Sequence, residues 1–119
     1  MTSYETALAA VKAIDGKKGL NIQMVEIRDI SVLADYMVIA TGNSSTHVKA
    51  LADEVEYRLD EAGVSVSHIE GYRSNTWILL DYIDVIVHVF DNEARDFYDL
   101  DRMWADGNPV DVSDIIKEN

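Results

Sequence analysis

The chain has no cysteine, only one proline, and few positive charges: 10 lysines and arginines face 22 aspartates and glutamates in 119 residues. Without cysteine, disulfides, thiolate zinc sites and cysteine nucleophiles are excluded. Long apolar runs are also missing, and nothing approaches the roughly 18 consecutive apolar residues that span a bilayer. The opening Met1-Thr2-Ser3-Tyr4-Glu5 lacks the basic start and apolar core of a signal peptide, so a soluble cytoplasmic protein is the expectation. The shortage of positive charge leaves a net charge of −12. That field repels phosphate backbones, so direct nucleic-acid binding through a broad basic surface is not expected. The deficit is uneven, at −4 over residues 1–80 and −8 over residues 81–119. Such a surface favours a basic protein partner, although acidity also serves solubility alone.

What is present is ordinary for a globular domain: 48% hydrophobic and 27% charged residues. The length suits a single domain whose core needs no covalent staple. We expect that domain over residues 1–105 and a loosely held acidic tail over 106–119.

Thr2 followed by Glu5 has the spacing of a capping box, and Tyr4, Ala7, Leu8, Val11 and Ile14 recur at helical intervals. A first helix is therefore predicted from about Ser3 to Asp15. Residues 21–29 alternate well enough for a strand, and Tyr36–Thr41 is a continuous apolar run, the mark of a central strand. Between them, residues 30–35 read as a turn anchored by Leu33. After the Gly42–Ser45 turn comes a helix with the stripe Val48, Leu51, Ala52, Val55, Leu59 and Ala62, then a strand from Val64 to Glu70. A strand–helix–strand crossover favours parallel neighbours. Trp77–Asp81 and Val85–Phe90 form a hairpin by spacing. Asp91 is placed to cap a last helix carrying Ala94, Phe97, Tyr98, Leu100 and Trp104, ended by Gly107-Asn108-Pro109. The prediction is a mixed α/β (α+β) fold, with roughly five strands in a mixed sheet flanked by helices.

Candidate catalytic chemistry is thin. The Gly42–His47 turn leads into a helix and could attract an anion, giving a nucleotide- or phosphate-binding enzyme as the alternative function. It lacks the lysine of a P-loop, and Ser44 or Ser45 suffices as a helix cap. A nucleotidyltransferase-like site needs two metal-binding carboxylates facing the same way, whereas Asp81 and Asp84 straddle a hairpin and serve as turn residues. His47, His68 and His88 match no metal spacing, and His88, inside an apolar strand, reads as a hydrogen-bonded structural residue. No cofactor or metal is expected. In Trp77–Asp81, alternation sets Trp77, Leu79 and Asp81 on one face and Ile78 and Leu80 on the other. An outward Trp and Leu rimmed by acid is what a protein-binding patch looks like, unless helices cover both faces.

These residues also carry a resemblance. The stretches from Asp35 to Val48, Glu70-Gly71, Trp77 to Phe90, and Arg95 to Trp104 together resemble the ribosomal silencing factor (Iojap-like) family, in order from about residue 4 to residue 104. Ile83 departs from the pattern, since a glycine is expected in that hairpin, and the chain after Trp104 lies outside it. The resemblance implies a nucleotidyltransferase-like sheet without transferase activity. It also implies binding to ribosomal protein L-fourteen on the large subunit, steric blocking of subunit joining under nutrient limitation, and a homodimer when free. On this chain the contact would fall on Trp77, Leu79, Asp81 and Tyr82, with Glu70, Arg73, Arg95 and Tyr98 as neighbours.

Overall fold

The computed structural model describes residues 1–71 and 75–116. Helix α1 spans Ser3–Gly16 and opens on the expected capping box. The Thr2 hydroxyl accepts from the Glu5 N–H at 3.1 Å, and the Glu5 carboxylate accepts from the Thr2 N–H at 2.9 Å. Strand β1 (Leu20–Glu26) runs antiparallel to β2 (Tyr36–Thr41), with a register shift between Leu20 and Gln23 where Asn21 adopts a left-handed backbone. Helix α2 (Ser45–Glu61) is capped by Ser44, whose hydroxyl accepts from the His47 N–H. Strands β3 (His68–Glu70), β4 (Trp77–Asp81) and β5 (Val85–Phe90) follow, then α3 (Asn92–Tyr98), α4 (Leu100–Met103) and β6 (Asn108–Val110).

Among the described residues the sheet has six strands, in the order β3-β4-β5-β2-β1-β6. The sixth comes from the segment expected to be a loose tail. β6 pairs antiparallel with β1, Val112 is buried, and Ile115 and Ile116 pack against the core. Three more expectations are corrected here. The strand before β4 is short, because only His68–Glu70 finds a partner strand. The crossover through α2 does not return beside β2 but carries the chain to the far edge, and the parallel neighbour of β2 is β5. The segment between β1 and β2 is anchored by Ala34, while Leu33 is exposed.

β2 lies inside the sheet and every one of its residues is buried. Val38 and Ala40 face a core built with α1 and α2, which also takes Ile78 and Leu80 of β4 and Val85, Val87 and Val89 of β5. Met37 and Ile39 face a smaller core on the opposite side, closed by Ala34, Ala94 and Leu100, with Trp104 packed at its margin. The two long helices thus cover one face completely. The short α3 and α4 cover only part of the other.

Candidate interaction surface

The open part of the second face is set by the alternation of β4. Ile78 and Leu80 are fully buried under the long helices, while Trp77, Leu79 and Asp81 are half-buried on the opposite side. Register extends the pattern into rows. Glu70 sits opposite Leu79, which sits opposite His88. His68 sits opposite Asp81, which sits opposite Ile86. Directly opposed residues share a face, so Glu70, His68, Leu79, Asp81, Trp77 and Ile86 share a side. His68 and Glu70 are exposed and lie 2.9 Å apart through Nε2 and Oε1.

Trp77 is held rather than free. Its indole N–H donates to His88 Nδ1 at 3.0 Å, and its ring lies 5.1 Å from Phe90 and 4.5 Å from Tyr98. His88 is only 5% exposed, and burial lowers its pKa to about 4, so near neutrality it is the uncharged acceptor this bond needs. That is the structural histidine expected from its strand position. Gly71, just after Glu70, carries a positive φ and lies so close to the Trp77 carbonyl that a side chain there would collide with it. The Glu70-Gly71 pair thereby lets β3 and β4 approach at this end of the patch.

Not every expected contact residue is on this surface. Tyr82 is buried in the core beneath α2, its hydroxyl has no hydrogen-bond partner among the described residues, and burial with Glu56 and Asp60 nearby raises its pKa. It continues the alternation of β4 onto the side of Ile78 and Leu80, so the period of the strand itself sets it in the core and apart from Trp77, Leu79 and Asp81. Arg95 is 7% exposed and committed to internal bonds: its guanidinium holds both Asp101 carboxylate oxygens, the Asn21 carbonyl and the Thr41 hydroxyl at 2.8 Å. It therefore clamps α3 and α4 to the irregular start of β1. Arg73 lies outside the described residues. Tyr98 is on the surface beside Trp77. Phe97, expected on a single last helix, is 75% exposed, and the chain turns left-handed at Asp99 and splits that helix in two. The buried positions are consequently Ala94, Arg95 and Leu100. The sequence signal for this break is the density of aspartates from 96 to 101, which suits a break better than a helix interior.

The Gly42–His47 turn is internally satisfied. The Asn43 N–H donates to His47 Nδ1 at 2.9 Å, and the other ring nitrogen of His47 lies 2.8 Å from the Lys17 carbonyl. A Cβ on Gly42 would come within 2.8 Å of the Val48 nitrogen, so the small residue serves close packing. One Asp81 oxygen accepts from the Ile83 N–H at 2.7 Å, as a turn carboxylate does. Among the described residues no three histidines, aspartates or glutamates gather as a metal site.

The model of the family described as "Ribosomal silencing factor during starvation" matches residues 1–119. The chain belongs to the ribosomal silencing factor family. The match includes the segment after Trp104 that the motifs did not reach. Ribosomal silencing factor RsfS of Halalkalibacterium halodurans is 35% identical over 116 residues, covering 98% of this chain and 99% of that protein. The RsfS of Bacillus subtilis is 38% identical over 103 residues, 87% of each. A crystal structure of a Chromobacterium violaceum protein superposes with a TM-score of 0.86 at 38% identity, covering 88% of both chains. The silencing factors are named for regulation and not for an enzymatic reaction, which places this chain with regulators of the ribosome.

Proposed function

We propose that the chain silences translation by docking on ribosomal protein L-fourteen of the large subunit, where its bulk keeps the small subunit from joining when nutrients are limiting. The observation that supports this reading is the alternation of β4, which leaves Trp77, Leu79 and Asp81 half-buried on the face opposite the two long helices, with Glu70 and Tyr98 alongside. The apolar side chains supply area to bury, and the carboxylates orient a basic partner and speed the encounter. With ribosomes as the target, the place of action is the cytoplasm. When free, the chain pairs with a second copy through the same apolar strip, and the ribosome displaces that copy. A ribosome-bound form still dimeric through this strip would rule that pairing out.

The test is co-sedimentation with purified large subunits, followed by a subunit-joining assay. Leu79→Glu is the informative variant, because Leu79 belongs to neither core, whereas Trp77 also holds His88, Phe90 and Tyr98. Its affinity is expected to fall by about 2–4 kcal/mol, as for a buried anchor, with an unchanged melting temperature. Normal binding by this variant sinks the assignment of the strip. A Trp77→Ala substitution is expected to lower both affinity and stability, so it cannot separate the two.

A further inference from the structure

We infer that the aromatic side of α3 receives a basic side chain of the partner, an arginine by its shape, making α3 a second half of the recognition surface. This rests on the reading that the open face meets the large subunit. Phe97 is more exposed than any other aromatic side chain among the described residues, and its ring stands edge-on to Tyr98 with centroids 5.0 Å apart. Tyr98 in turn lies against Trp77, so the rings form one continuous row from α3 onto β4. The outer end of that row borders a cavity of about 530 Å³, lined by Thr76, Asp91, Glu93, Asp96, Phe97 and Tyr98 with Ala94. Among the described residues, no basic one is in that lining.

The helix's own cation does not answer these acids. Arg95 is turned the other way and bound to Asp101, Asn21 and Thr41. Placement near a helix start accounts for Asp91, which accepts from the Ala94 N–H, and for Glu93 in the first turn. It does not account for Asp96, nor for an apolar ring left in water beside it. A guanidinium suits both features at once. Its flat face stacks on a phenyl ring, while its edge donates to carboxylates. A purely apolar partner would leave Glu93 and Asp96 facing it, desolvated and unpaired. Charge complementarity and continuity with the Trp77 strip therefore point to the same occupant.

The experiment measures binding to purified large ribosomal subunits at two salt concentrations for Glu93→Gln with Asp96→Asn, for Phe97→Ala, and for Leu79→Glu as the reference. The double variant is expected to lose about tenfold in affinity near 0.1 M salt and most of that difference near 0.5 M, as screening weakens the charges it removed. Phe97→Ala is expected to lose about tenfold at both salts. Melting temperatures serve as the check that each variant is folded. Wild-type binding by both α3 variants, alongside failure of Leu79→Glu, overturns the proposal and leaves the β4 reading standing. A loss in the double variant that ignores salt overturns it as well. Should the unaltered chain fail to sediment with large subunits, the reading beneath the proposal falls and takes it along.

Discussion

Two single residues show where the chain departs from its simplest local solution. Ile83 sits at the tip of the β4–β5 hairpin with φ at 73°, 66% exposed, and the Asp84 N–H donates to the Tyr82 carbonyl across it. This is a γ-turn whose centre strongly disfavours a β-branched residue. Left-handed backbone costs a residue with a Cβ about 1–2 kcal/mol, and glycine gives back part of that through its freer unfolded chain. Ile83→Gly should therefore stabilise the fold by about 1 kcal/mol, seen as a higher urea midpoint at constant slope. A lower midpoint contradicts the strain. A glycine, expected at this position from the family resemblance, would take this backbone without strain. His88 supplies the pH dependence. Its folded pKa of about 4 lies below the ordinary 6.5, so between those values the unfolded chain binds the extra proton. Stability is full above about pH 6.5 and falls as pH drops toward 4, by up to about 3 kcal/mol. A His88→Gln variant should flatten that part of the urea-midpoint profile, and an unchanged slope would remove His88 as its cause.

Among the elements, those governed by periodicity and capping were legible, and those governed by distant partners were not. Thr2 with Glu5, Ser44, and Asp91 all cap the helices expected of them, since a cap is decided within four residues. The alternation of β4 placed Trp77, Leu79 and Asp81 together because strand geometry has a fixed period. By contrast β6 is only Asn108–Val110, contains the sole proline, and exists because β1 offers an edge. No local preference announces such a strand. Arg95 was hidden for the same reason, since its burial depends on the β1 irregularity many residues away. Tyr82 was legible, because the alternation of β4 carries it to the side of Ile78 and Leu80. A chain ending at residue 107 is expected to lose several degrees of melting temperature, since it uncovers β1 and removes Val112 and Ile115 from the main core. Calorimetry of the shortened chain checks this, and an unaltered transition would return the segment to the status of a tail.

For the whole molecule, the charge of −12 acts at longer range than any contact. Its bias toward residues 81–119 coincides with α3, α4 and the turn at Asp84, which border the open face. Association with large subunits should accordingly slow by about tenfold or more between 0.05 and 0.5 M salt, while dissociation changes much less. Stopped-flow or surface-binding kinetics distinguish the two rates. Equal sensitivity of both would mean that the charges act within the contact, and not during approach.

Pro109 has a consequence for how the protein behaves at high concentration. The outermost strand beside β1 is three residues long and carries at its centre a residue with no amide hydrogen to offer. The opposite margin is equally brief and ends in exposed His68 and Glu70. Neither rim invites a neighbouring molecule to continue the sheet, so crowding alone should not drive these chains into fibres.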